Sequence, residues 1–218
     1  MRFSDRDDAG RQLADRLEYL TGEPVVVLGL PRGGVPVAAQ VARRLRAPLD
    51  VIIVRKLGVP GQPELAMGAV GEDGVVVINP AVIRMSGVTP RQLDAARAAE
   101  LAAVEKRAAT YRVGHPRVDL ASQVAIVVDD GIATGSTARA ACQIARAHGA
   151  ARVVLAVPVG PRGWQQRIGA AADEYVCVFT PPRFFAIGEF YDAFPQVTDD
   201  EVIALWDRSA RLDRVNRP

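Results

Sequence analysis

Val124-Ala125-Ile126-Val127-Val128-Asp129-Asp130-Gly131-Ile132-Ala133-Thr134-Gly135-Ser136-Thr137 reads as a strand, a turn and the start of a helix. Five apolar residues ending at a turn predict a buried parallel strand, and a helical pattern begins near Gly135. Open α/β sheets bind ligands at the carboxyl ends of such strands. The helix start offers free N–H groups and a partial positive charge, which suit a phosphate. Gly131, Ala133 and Gly135 allow close approach to the backbone, and Thr134, Ser136 and Thr137 add hydroxyl donors. Asp129 and Asp130 precede this cradle, so they suit sugar hydroxyls better than the phosphate. A ribose 5-phosphate fits the layout. The bland alternative is a strand-turn-helix with a Ser/Thr cap, but two adjacent acids ending a buried strand are costly without a partner. The pattern G-x-x-x-x-G-K-[ST] is absent, which speaks against a P-loop ATPase.

The stretch resembles the phosphoribosyl pyrophosphate (PRPP) signature of type I phosphoribosyltransferases: an apolar strand, two acids, small residues, then T-G-x-T. The resemblance implies an α/β fold, a doubly wound and mainly parallel sheet flanked by helices, with a small hairpin or lid and a C-terminal hood. It implies transfer of ribose 5-phosphate from PRPP to a nitrogen acceptor with release of pyrophosphate. Gly131, Ile132, Ala133, Thr134, Gly135, Ser136 and Thr137 would hold the 5-phosphate. Asp129 and Asp130 would hold the ribose hydroxyls, directly or through Mg²⁺, the implied cofactor, itself bound mainly by PRPP. Members acting on 6-oxopurines usually carry an acid where this chain has Ala133, so hypoxanthine and guanine are disfavoured and the acceptor stays open.

A second strand-turn-helix lies upstream. Val25 to Leu30 predicts a strand, Pro31-Arg32-Gly33-Gly34 a turn, and Val35 to Leu45 a helix. Backbone N–H groups beside two glycines, with Arg32 nearby, would make an anion site; the alternative is a plain glycine turn. It resembles the family's pyrophosphate loop, which implies a non-proline cis bond at Pro31–Arg32. Leu49 to Val54 predicts the next strand, closed by Arg55 and Lys56. In a parallel sheet these cations would point toward the same end as Asp129, and the resemblance gives them the leaving pyrophosphate; the alternative is a solvated pair. Residues 57–74 carry Gly58, Gly61, Gly68, Gly71 and Gly74 with Pro60 and Pro63, which predicts a mobile excursion. Within it Leu65 to Val70 and Val75 to Ile78 could pair around Gly71–Gly74. The resemblance implies a flexible lid here that excludes water when closed.

Elsewhere the spacing predicts helices over residues 4–20 (capped by Ser4 or Asp5), from Thr89-Pro90 to Tyr111, from Gly135 to Gly149, over 163–171 and over 199–212. Val202, Leu205, Trp206 and Leu212 would be partly buried on the last. Strands are expected at Arg152–Val157 and Glu174–Phe179. Residues 180–198 are rich in aromatics, and Phe184, Phe185 and Tyr191 are candidates for a hood over the acceptor; the alternative is cover for a sheet edge or a dimer contact.

The chain of 218 residues, 49% apolar and 24% charged, suits one phosphoribosyltransferase-like domain over residues 1–218. A net charge of +2 gives no reason to expect a nucleic-acid surface. Cys142 and Cys177 lack metal-ligand spacing, and His115 and His148 stand alone. Without a visible signal peptide or membrane span, the expected compartment is the cytoplasm. The resemblance adds a homodimer. A second class of function remains: a regulatory protein that senses PRPP or a nucleotide without turnover. Arg32, Arg55 and Lys56 favour the enzyme, because a leaving pyrophosphate needs cations.

Overall fold

The computed structural model describes the backbone of residues 1–216 and the side chains of residues 1–209. In chain order the elements are α1 (Arg6–Arg16), β1 (Val25–Gly29), α2 (Gly34–Leu45), β2 (Leu49–Val51), β3 (Val54–Val59), β4 (Gln62–Gly71), β5 (Val76–Ile78), α3 (Pro80–Ser86) and α4 (Pro90–Tyr111). They continue with β6 (Val124–Val128), α5 (Ser136–Ala147), β7 (Arg152–Val159), α6 (Trp164–Ile168), β8 (Glu174–Phe179) and α7 (Asp199–Asn216). Leu212 lies outside the described side chains.

Five strands form a wholly parallel sheet in the order β2-β1-β6-β7-β8. The chain winds outward from β1 to β2, then returns to the other side of β1 and winds away through β6, β7 and β8. The switch therefore falls between β1 and β6, the crevice where ligands bind in open sheets of this kind. Alternation along the strands divides the core. Val25, Val27, Ile126 and Val128 pack with α1, α2 and Trp206 of α7, whereas Val26, Leu28, Ala125 and Val127 pack with α5 and Trp164 of α6. Residues buried on both faces explain why β1 and β6 are unbroken apolar runs.

The expected strand Leu49–Val54 is two elements. Ile52 N–H still donates to Gly29 O at 3.1 Å. Beyond that point β1 has turned into the Pro31 loop, so the extended chain has no ladder neighbour. It leaves the sheet and, as β3, pairs antiparallel with β4 in a second, three-stranded sheet, β3-β4-β5. Residues 57–74, expected as a mobile excursion with a hairpin pairing within it, are largely these strands. A turn at Pro60-Gly61 joins β3 to β4, and the register slips at Leu57, Gly58 and Val59. The expected pairing around Gly71–Gly74 is present as β4 with β5.

α3 is absent from the expected elements, although its signals are in the sequence: Asn79 caps it by accepting from Val82 N–H, Pro80 opens it and Gly87 ends it. α4 has the expected cap, with Thr89 and Gln92 bonding reciprocally. Of its long surface only Val104 and Tyr111 are buried.

Arg112, the residue after α4, closes a buried charge cluster. Its guanidinium donates to Asp50 Oδ1 at 2.7 Å, to Glu72 Oε1 and Oε2 at 2.6 and 2.7 Å, and to Val51 O at 3.1 Å. Asp50 Oδ2 accepts from Val118 N–H at 2.8 Å. The guanidinium also lies 5.1 Å from the Trp206 ring centre. Burial pushes the Asp50 carboxyl up against the opposing pull of Arg112. Burial likewise opposes the charge on Arg112, but Glu72 and Asp50 outweigh it and hold the guanidinium above its ordinary value. Removing the one cation would leave two buried acids without a counter-charge. We expect Arg112→Ala to cost about 3–5 kcal/mol, read as a lower urea midpoint.

Candidate functional site

Gly29 and Val128 are paired in the β1–β6 ladder, so the loops that follow them leave side by side. Leu30 N–H donates to Val128 O at 2.9 Å and carries the pairing one residue further. The two loops are in direct contact. A Cβ on Gly33 would lie 2.0 Å from Asp130 Oδ2, so any side chain at 33 would displace the acid. The Pro31–Arg32 peptide is cis.

The acid pair is tied unequally. Asp129 Oδ1 accepts from the backbone N–H of Asp130 at 2.9 Å. Asp130 Oδ2 accepts from Arg6 Nε at 2.9 Å, with both side chains almost fully buried. Arg6 also donates to Pro195 O at 2.7 Å, and its guanidinium lies 3.8 Å from the centre of the Phe194 ring. Tyr191 Oη donates to Asp130 O at 2.6 Å, and burial pushes its phenol well up, so it remains a proton donor. Burial and then the Asp130 charge hold the Asp129 carboxyl well above the carboxylate range. Burial also raises Asp130, with Arg6 pulling the other way. Two adjacent acids sharing a single cation form a site short of positive charge.

In the turn after β6, Ala133, Thr134 and Thr137 are exposed, and Thr134 Oγ1 lies 3.1 Å from Ser136 Oγ. The first N–H groups of α5 have no partner within the helix. Ile132 departs from its expected place among the phosphate contacts. Its side chain is buried and its N–H donates to Val159 O at 2.9 Å, so it anchors the turn to β7 instead. In the first loop Gly34 N–H is similarly committed, to Leu30 O at 3.0 Å, which leaves Arg32 and Gly33 as the open part of that turn.

A cleft of about 600 Å³ opens beside these loops, a size that suits a small ligand. Pro31 and Thr137 form one wall, the β3–β4 turn from Gly58 to Pro63 another, and Glu100 and Arg107 of α4 a third. Arg55 and Lys56 line it, but from β3 of the small sheet rather than from the end of a parallel strand. Neither is free: Arg55 pairs with Glu100 at 2.7 Å and Lys56 with Glu64 at 2.9 Å.

The aromatic segment divides. Tyr191 is buried between Phe3 and Phe194, with ring centres 5.4 and 4.8 Å away, and presents no face to an acceptor. Phe184 stacks on Phe190 at 5.4 Å, whereas Phe185 is 83% exposed. The cause is Phe3, which bridges to Tyr191 and draws that ring inward. Ile187 also reaches the turn, where a Cβ on Gly131 would meet it at 2.7 Å. Arg6 escaped the sequence reading although it had a signal: it falls on the same stripe of α1 as Ala9 and Leu13, an arginine where an apolar residue belongs. Glu100 and Glu64 carried no comparable signal. Among the described residues there is no group of three or more His, Cys, Asp or Glu that could hold a metal ion. Nor is any described helix long and apolar enough to cross a membrane.

A family model described as the phosphoribosyl transferase domain matches residues 6–192. Two Mycobacterium tuberculosis proteins, from strains CDC 1551 and H37Rv and provisionally named phosphoribosyl transferases, are each 57% identical to this chain over 209 residues. The match covers 96% of this chain but 47% of theirs, so the chain spans about half the length of these relatives. The crystal structure of TT1426 from Thermus thermophilus is 44% identical, with a TM-score of 0.89 over 94% of this chain and 98% of that one.

The raised carboxyl of Asp129 has a consequence for stability. An acid whose folded value lies above its unfolded value lowers stability as pH rises from the unfolded value toward the folded one. Asp129→Asn should therefore raise Tm at pH 7, and the gain should shrink toward zero as pH falls to about 4, in scans across that range.

Proposed function

The chain belongs to the phosphoribosyl transferase family, and from that premise we propose that it transfers ribose 5-phosphate from PRPP to a nitrogen acceptor and releases pyrophosphate. The observation that carries this reading is the meeting, at one switch point, of an under-compensated acid pair and two turns with open backbone donors, beside a cleft lined by cations.

On this reading the turn of Ala133 to Thr137 binds the 5-phosphate through N–H groups and hydroxyls. Asp129 and Asp130 accept hydrogen bonds from the ribose hydroxyls, and Arg32 and Gly33 bind pyrophosphate. The acceptor nitrogen attacks C1 as the bond to the pyrophosphate oxygen breaks, and the nitrogen then passes its proton to the departing pyrophosphate or to water. Arg55 and Lys56 neutralise the departing charge. To do so they exchange Glu100 and Glu64 for the phosphates, a substitution of one anion for another that their exposed ion pairs permit at little cost. Mg²⁺ fits an acid pair short of positive charge. Held mainly by PRPP oxygens, with Asp129 and Asp130 nearby, it would supply further neutralisation of the pyrophosphate. The chain itself contributes positioning and electrostatic stabilisation. A homodimer and a cytoplasmic location belong to the same proposal.

The test is pyrophosphate release from PRPP and Mg²⁺ with pooled purines, pyrimidines and related nitrogen heterocycles. Release that requires one pool, and is absent in Asp129→Asn/Asp130→Asn, supports the transferase, and dividing that pool identifies the acceptor. Tight PRPP binding without release from any pool would favour the sensor, and absence of binding would reject both. Once the acceptor is in hand, Arg55→Ala and Lys56→Ala should each lower kcat by about 10²–10³-fold while changing PRPP affinity much less. Equal losses in both quantities would remove these residues from the leaving-group role.

A further inference from the structure

Each acid of the pair has one oxygen already engaged. Asp129 Oδ1 is held by the backbone of its neighbour, and Asp130 Oδ2 by Arg6. Among the described residues Asp129 Oδ2 and Asp130 Oδ1 have no hydrogen-bond partner. The pair thus offers two acceptor atoms, one from each residue, and a ribose presents two adjacent hydroxyls. The direction of Asp129 is set within its own turn. The direction of Asp130 is set from outside, by a residue 124 positions earlier in the chain.

Arg6 is itself fixed on three sides. Its Nε meets Asp130, its Nη1 meets Pro195 O, and the flat face of its guanidinium lies on Phe194. Gly33 closes the remaining side of Asp130 Oδ2. A planar cation anchored in this way has one orientation, and so does the carboxylate it holds. We propose that Arg6 is a positioning residue for the sugar end of the site: by capturing Asp130 Oδ2 it aims Asp130 Oδ1 at a ribose hydroxyl. The inference rests on the PRPP reading above and adds to it a residue outside both loops. Arg6 touches no part of the substrate. Its influence passes through Asp130, so it falls directly on the ribose and only at second hand, through the contact of Asp130 with Gly33, on the pyrophosphate turn.

Calorimetry of the whole chain with Mg²⁺ and two separate probes, ribose 5-phosphate and inorganic pyrophosphate, tests this. Wild type should bind both. Arg6→Gln should weaken ribose 5-phosphate by roughly tenfold, the scale of one charge-assisted hydrogen bond, and pyrophosphate by less than about twofold. Arg6→Lys keeps the charge without the planar fork and should fall between wild type and Arg6→Gln. Partial unfolding scales both probes alike, so the ratio of the two affinities isolates positioning from stability. If Arg6→Gln does not fold, Arg6→Lys carries the same ratio test. Equal loss of both probes, no loss of either, or a lysine variant no better than the glutamine one would overturn the proposal. Failure of wild type to bind PRPP or either probe would instead remove the PRPP reading beneath it.

Discussion

The pairing of β1 with β6 is the constraint on which the site depends. Five residues of each strand run in register, from Val25 opposite Val124 to Gly29 opposite Val128. Side chains alternate with a period of two along a strand, so a slip of one residue would exchange the two halves of the core. That hydrophobic division fixes the register, and the register fixes where each loop begins. The contact of Gly33 with Asp130 follows from it, as does the place of both Thr137 and Pro31 in the lining of one cleft. The geometry of the polar site is set by apolar residues that never touch a ligand.

Two buried charge clusters lie on this scaffold with opposite characters. Around Arg112 one cation serves two acids and nearly every lone pair is met, by Val51 and Val118 as well as by the guanidinium. That cluster ties β2, the turn after β4 and the end of α4 into one piece. Around Arg6 one cation also faces two acids, but it bonds only one of them, and Asp129 is left with its carboxyl pushed up. The first arrangement is complete without a ligand. The second is complete only when something positive, or something that donates hydrogen bonds, is added. Sites for binding and chemistry commonly carry such a deficit at the expense of stability.

The parallel sheet was legible because β1 and β6 are apolar on both faces and each ends at a turn rich in small residues. The two turns were legible because acids, a cation and glycines do not collect at strand ends for packing reasons. Legibility failed where a neighbour rather than the local sequence decides the conformation. Ile52 and Ile53 look like a continuing strand, and only the end of β1 makes the chain leave the sheet. Gly58, Gly61, Pro60 and Pro63 look like a loop, yet the pairing of β3 with β4 straightens the residues on either side of the turn. Tyr191 looks like an exposed hood ring until Phe3, nearly two hundred positions earlier, is laid beside it. Ile132 sits in the middle of the signature and still points inward, since a single N–H already spent on Val159 cannot serve a phosphate.

α4 supplies Glu100 and Arg107 to the cleft from a helix anchored most firmly at its C-terminal end. At that end Tyr111 is buried and bonds Asp199, while Arg112 is locked to Asp50 and Glu72. The two buried residues, Val104 and Tyr111, both lie in its C-terminal half. Toward its N-terminus Leu93 and Ala96 are only half-buried against the core, so the hold on α4 slackens with distance from Arg112, and the partner of Arg55 sits partway along that gradient. In mechanical terms α4 is a beam with one firm clamp and one softer seat, and the position of the cleft wall it forms is referred to the Arg112 cluster.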